Sequence, residues 1–209
     1  MDLGLYPLKY PARRLIEGLL PRFAAADPNR ISLAMLPVGA AIAACYVAGA
    51  HGRPWLYLVA TLLTFVRMFL GTLDGLVATR FGRSTRSGEI VNRLAPELCD
   101  AAYTLALALA RPEWRLPGLL ALAAAWLISF AGLVGATAGL PTQSVGPAGQ
   151  TDRLALLQLL SVLAWLAEVR GWRVDPLGLF LWWVALGGTL TVVLRLTRHL
   201  RAARVEDGR

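Results

Sequence analysis

Residues 71–100 read GTLDGLVATRFGRSTRSGEIVNRLAPELCD, from Gly71 to Asp100, and the organisation of the whole chain can be worked out from them. The stretch joins two apolar runs, yet it gathers glycines and ionisable side chains at helical spacing. Gly71, Asp74, Gly75 and Ala78 share one helical face. Gly88, Asn92, Pro96 and Asp100 recur at intervals of four and form a single stripe. Ionisable groups are rare inside membrane-spanning helices because each is costly there, so a cluster at this place points to function.

Outward from this stretch, apolar runs occupy 31–50, 54–76, 89–110, 116–139, 154–170 and 177–196. With 56% hydrophobic residues and a mean hydropathy of +0.55, the composition is that of a bilayer protein. The runs predict an all-α integral membrane protein with six transmembrane helices. The fifth run would reach only about 25 Å at the helical rise of 1.5 Å per residue, so it has to stand nearly upright. Ahead of the first, Leu15, Ile16, Leu19, Leu20 and Phe23 alternate with Arg13, Arg14, Glu17 and Arg22 at helical spacing, the pattern of an N-terminal amphipathic helix lying in the interface. The first 30 residues carry Lys9, Arg13, Arg14, Glu17, Arg22 and Asp27 and show no cleavable signal core. The expected organisation is one membrane domain over 1–209: an interfacial segment 1–30, a bundle 31–197 containing the polar segment 71–100, and a basic tail 198–209.

The formal charge is +8, but the basic residues sit between apolar runs, where a membrane protein uses them for orientation and contact with anionic lipid. Nucleic acid is not expected as a partner. Fifteen of the 21 Lys and Arg residues fall on one side of a six-span arrangement and five on the other, leaving Arg67 alone within a span. The asymmetry predicts both termini in the cytoplasm. Cys45 and Cys99 lie in apolar runs and give no disulfide framework, and neither His51 nor His199 has a companion at metal-ligand spacing. Arg67 precedes Asp74 by seven residues, about 10 Å deeper along the same face, which is the depth expected of Asp100 on the neighbouring antiparallel helix. An ion pair between Arg67 and Asp100 inside the bundle is therefore expected.

The polar segment resembles the signature of the CDP-alcohol phosphatidyltransferases, DxxDGxxAR followed after eight residues by GxxxDxxxD. It aligns without a gap, with Asp74, Gly75, Ala78 and Gly88 matching the second aspartate, first glycine, alanine and second glycine. Pro28, Asn29, Arg30, Ile31 and Ser32 look like the PNxxT motif opening the family's first span. Gly146 to Arg153 look like the loop before its fifth. The resemblance implies phosphatidyl transfer from CDP-diacylglycerol to an alcohol with release of CMP, in bacterial inner-membrane phospholipid biosynthesis. It implies Mg²⁺ or Mn²⁺ as cofactor, and a CDP-linked lipid or alcohol as partner.

In that family four carboxylates hold two divalent metals against a pyrophosphate, and the last also takes the proton of the attacking hydroxyl. Here the first, third and fourth positions are Gly71, Asn92 and Pro96. Asp74, with Asn92 as a neutral oxygen donor, is what remains of the implied metal set, and with Pro96 at the base position no catalytic residue is assigned. Gly75, Ala78, Arg80, Gly88 and Arg153 form the implied substrate-binding set. Arg80 stands one residue beyond the family's arginine, which is Thr79, and Gln150 replaces a lysine common in relatives. Glu89, Glu97 and Asp100 are the remaining acids nearby. Two functions follow as expectations: a transferase working with an impaired site, or an inactive homologue retained as a lipid- or partner-binding subunit. The resemblance implies a homodimer, and an inactive copy suggests pairing with an intact relative.

Overall fold

The computed structural model describes residues 16–208. Lys9, Arg13, Arg14 and Leu15 of the expected interfacial helix lie outside the described residues. Its remainder is helical over 16–19 and continues as a 3-10 turn, Leu20–Phe23. Ile16 and Leu20 are buried against Ile31, Leu73, Leu76 and Val77, so the apolar side of this segment packs on the bundle.

Six long helices follow: α1 (Pro28–Ala50), α2 (Leu56–Arg80), α3 (Arg86–Ala110), α4 (Arg115–Leu133), α5 (Gln150–Arg170) and α6 (Pro176–Glu206). Their starts are written in the sequence. The side chain of Asp27 accepts from the Asn29 N–H, that of Thr85 from the Gly88 N–H and that of Asp175 from the Gly178 N–H, and each satisfies an orphan donor of a first turn. Pro28 and Pro176 occupy first-turn positions, where the missing N–H costs nothing. Gly171, in the left-handed region at φ 65°, closes α5. α1 and α3 run through Pro37 and Pro96.

Four of these segments are long and apolar enough to cross a membrane: α1, α2, the stretch from Pro112 to Ala138 around α4, and α6. The chain is thus a membrane protein of helical architecture. α3 and α5 fall outside that set because each carries several charged residues, including Glu97 and Asp100 on α3 and Asp152 and Arg153 on α5. The short fifth run gains a turn at its start, giving a helix of 21 residues and roughly 31 Å. The basic segment from 198 continues α6, which runs to Glu206. Leu, Arg and Ala are good helix formers, and no Gly or Pro interrupts them before Gly208.

α1 packs chiefly on α2 and α3, and α4 packs on α6. Small residues let these axes approach. A Cβ on Gly39 would come within 2.8 Å of the Cys99 sulfur, and one on Gly118 within 2.4 Å of the Ala108 Cβ. Such contacts replace the hydrophobic drive that lipid cannot supply between helices. The main core gathers Ile42, Tyr46, Tyr57, Tyr103, Leu107, Leu157 and Phe180, toward the end of the bundle away from Asp74. Gly39→Val should therefore lower stability by about 1–3 kcal/mol through overpacking of the α1 and α3 crossing, read as a lower unfolding midpoint in detergent.

Candidate functional site

The end of α2, the start of α3 and the first turn of α1 enclose a cavity of about 360 Å³. Asp74, Gly75 and Ala78 form its α2 wall, Gly88 and Asn92 its α3 wall, and Asn29 and Ser32 its α1 wall. Asp74 is only 1% exposed; it accepts from the Ser32 hydroxyl at 2.5 Å and from the Gly75 N–H at 2.6 Å. Gly88 is required by closeness, since a Cβ there would come within 2.6 Å of the Asn29 Oδ1 and 2.8 Å of the Thr85 hydroxyl. Gly75 faces open space, with Asn92 3.7 Å from where its Cβ would stand, so any side chain there would project into the cavity.

A second cavity of about 500 Å³ adjoins the first at Asn92, which lines both. Its walls include Pro96 and Glu97 of α3, Ser129 of α4, Gln150, Asp152 and Arg153 of α5, and Arg195 of α6. Arg153 belongs here rather than beside Asp74, and it is 3% exposed. Between this cavity and α2 runs a polar network. Arg67 donates from Nη2 to Asp100 at 2.7 Å and to the Pro96 carbonyl at 3.0 Å. Arg153 donates to the other oxygen of Asp100 at 3.4 Å and to the Ala148 carbonyl at 3.2 Å, and stands 3.9 Å from Glu97. Gln150 donates to Glu97 at 3.4 Å and to Asp100 at 3.3 Å, and Ser129 donates to Glu97 at 2.7 Å.

The structure thus brings Asp74, Gly75, Ala78, Gly88 and Asn92 together, and separately joins Arg67, Asp100 and Arg153. Arg80 lines neither cavity. It ends α2 exposed, while Thr79, Arg83 and Arg86 face the first cavity. A one-residue shift turns a helical side chain by about 100°, which is why Arg80 cannot stand in for an arginine at 79. Three participants escaped the sequence reading. Ser32 was visible only as part of an opening motif, Arg195 only as one of the basic residues counted with the tail, and Met35 not at all. Met35 is fully buried, and its sulfur would be 3.2 Å from a Cβ on Gly71, so a thioether fronts the position of the family's first carboxylate. His199 is likewise no tail residue: it is buried, and Gly135 leaves room for its ring.

These donors do not fit a pair of divalent cations. Mg²⁺ and Mn²⁺ ask for several hard oxygen ligands, whereas the first cavity offers the single carboxylate of Asp74 with the neutral Asn92. Glu89, at its rim, is engaged with Arg93 at 3.2 Å. Among the described residues, no three His, Cys, Asp or Glu side chains gather where they could hold a metal ion.

No protein-family model matches the chain. Inner membrane protein YnbA of Escherichia coli (strain K12) is 29% identical over 131 residues, and the chain spans 64% of that relative's length. Phosphatidylinositol phosphate synthase of Mycobacterium tuberculosis, solved with CDP-DAG bound, superposes with a TM-score of 0.70 at 19% identity, covering 90% of this chain and 92% of that one. The fold is that of a CDP-alcohol phosphatidyltransferase. The same synthase in complex with manganese and citrate gives a TM-score of 0.69 at 19% identity over 90% of this chain and 88% of that one.

Removing one partner of a buried ion pair is costly because it strands the other charge. Arg67→Met should lower stability by about 3–5 kcal/mol, and Arg67→Met with Asp100→Leu should recover much of that loss. Unfolding in mixed micelles, read as a double-mutant cycle, checks both.

Proposed function

We propose that this chain binds a CDP-linked lipid at the membrane in the manner of a CDP-alcohol phosphatidyltransferase, and that it has lost metal-dependent phosphatidyl transfer while keeping the binding chamber. The observation that carries the reading is the first cavity. The matching face of Asp74, Gly75 and Ala78 closes against Gly88 and Asn92, while the Gly71, Asn92 and Pro96 positions withhold the carboxylates a two-metal reaction would need. The solved synthase carrying CDP-DAG on this fold supports the choice of ligand. Two helix N-termini, those of α1 and α3, border the cavity, and the positive ends of their dipoles favour an anionic ligand there.

In this reading all six helices span the membrane. The polar residues of α3 and α5 turn inward to the chamber, both termini face the cytoplasm, and the membrane is the bacterial inner membrane. One membrane domain serves phospholipid biosynthesis as a binding subunit, as a homodimer or beside an intact relative. The adjoining cavities favour a second reading, slow transfer. An alcohol held between Glu97 and Arg153 would meet a diphosphate across Asn92, with Glu97 the nearest acid to the lost base at 96.

The expected result is saturable stabilisation of the purified protein by CDP-diacylglycerol but not by phosphatidic acid, weakened at least about tenfold by Gly75→Leu, without CMP release for any alcohol tried with Mg²⁺ or Mn²⁺. Metal-dependent CMP release abolished by Asp74→Ala would instead establish slow transfer. No stabilisation by CDP-diacylglycerol would remove the binding reading.

A further inference from the structure

Thr191, Arg195 and His199 stand four residues apart on one face of α6, and all are buried. That face meets the segment joining α4 to α5. The Thr191 hydroxyl donates to the Gly187 carbonyl at 2.8 Å and accepts from the Ala148 N–H at 3.1 Å. Gly146, at φ 119°, lies so close to Thr191 that no Cβ fits between them. Arg195 donates from Nε to the Val145 carbonyl at 2.9 Å and from Nη1 to the Ile128 carbonyl of α4 at 2.8 Å. His199 lies against the 3-10 turn Val134–Ala138, where Gly135 alone leaves space for its ring. Residues 140–149 form neither helix nor strand. They are tied to the end of α4 by the Leu140 N–H on the Gly135 carbonyl and the Gln143 N–H on the Gly132 carbonyl, both at 2.9 Å. Residues 142–146 and Gly149 form one side of the second cavity, next to Gln150 and Arg153, which reach Glu97 and Asp100 inside it.

The three members of the row act in opposite directions. Thr191 and Arg195 exchange hydrogen bonds with the connecting segment and hold it against α6. His199 is 5% exposed, and among the described residues neither of its ring nitrogens has a hydrogen-bond partner. A buried polar group left unpaired penalises the arrangement that buries it, relative to one in which water reaches it. Lifting residues 134–149 away from α6 exposes the ring and relieves that penalty, at the expense of the bonds made by Thr191 and Arg195. The same motion removes one wall of the second cavity.

We propose that residues 134–149 are a hinged cover of the second cavity, latched to α6 by Thr191 and Arg195 and biased toward opening by the unpaired His199. This face of α6 then governs how a polar molecule enters the cavity from outside the bundle. The proposal concerns access alone and does not rest on the CDP-lipid reading.

The test uses the full chain in lipid nanodiscs. Hydrogen–deuterium exchange over 134–149 should be faster than in the helical interiors of α4 and α6, marking a unit that opens without them. Thr191→Val keeps the side chain's shape but removes the acceptor of the Ala148 N–H, and should speed that exchange at least about threefold. His199→Leu removes the unpaired nitrogens and should slow it at least about threefold. The opposite signs separate a latch from packing, because trimming a buried side chain that only packs loosens the structure. Access is read independently from Ser129→Cys, a position on the cavity wall, by its rate of modification with a charged methanethiosulfonate. The chain with only Cys45 and Cys99 supplies the background. Modification should quicken when Thr191→Val is added and slow when His199→Leu is added. Should His199→Leu fail to fold, His199→Met removes the same nitrogens with a more adaptable side chain and is read in the same way. Exchange of 134–149 only in step with α4 and α6, a folded His199 variant that exchanges as fast as the unmodified chain or faster, or thiol modification indifferent to both changes would each overturn the proposal.

Discussion

Arg67 carries a permanent positive charge into the interior of a helix bundle, and an unpaired guanidinium there would be expensive. Asp100 meets it at 2.7 Å from the facing helix, and much of the chamber follows from that meeting. The pair joins α2 and α3 directly, while their main packing is on α1 between them. Asp100 has a second oxygen to satisfy, and Gln150 and Arg153 reach it from the start of α5. Glu97 then finds Gln150 on one side and Ser129 of α4 on the other. Four helices are thereby tied by a single polar network in which each member answers another. A half-satisfied version of it would be worse than an apolar core.

The two cavities differ in what they present. The first lies at helix ends, where the N-cap turns of α1 and α3 stand with Arg83 and Arg86 around the buried Asp74, Arg83 being held by the Ala26 carbonyl at 2.8 Å. Glu89 sits on the same rim, but Arg93 engages it. The second is a mixed wall of acids and guanidiniums whose charges are spent on one another or on backbone carbonyls.

Periodicity along the chain exposed a great deal of this. Intervals of four placed Gly88, Asn92, Pro96 and Asp100 in one row, and counting helical rise from Asp74 gave the depth at which Arg67 meets Asp100. Both are properties of a single helix or of two adjacent antiparallel ones, so one dimension suffices. What stayed hidden depends on a third helix. Met35 comes to Gly71 from α1, Arg153 comes to Asp100 from α5, and His199 comes to Gly135 across the 3-10 turn after α4. Nothing in the local pattern reports which distant face will be opposite. The hydropathy of α3 and α5 mixes two kinds of charge: Glu97, Asp100 and Arg153 turn inward to the network, while Glu89 and Arg93 on α3 and Glu168 on α5 stay exposed.

Binding and turnover make different demands, and the residues that differ from the signature separate them. Holding a diphosphate needs shape and a fixed positive potential, which glycines, helix termini and tethered arginines supply without changing state. Transferring its phosphorus needs charge that is matched to the transition state: cations on the oxygens that gain charge, and a base to remove a proton at the moment of attack. Pro96 has no side-chain group that could take a proton, and its backbone carbonyl accepts from Arg67 as the carbonyl of any residue there could. Gly71 gives up a carboxylate and receives the Met35 thioether, which fills space but supplies no hard ligand. In the proposed reading, each exchange keeps the chamber's form while withdrawing a ligand that the family's reaction uses. On the binding reading proposed above, the retained features are those a receptor needs, and the missing ones are those a catalyst needs.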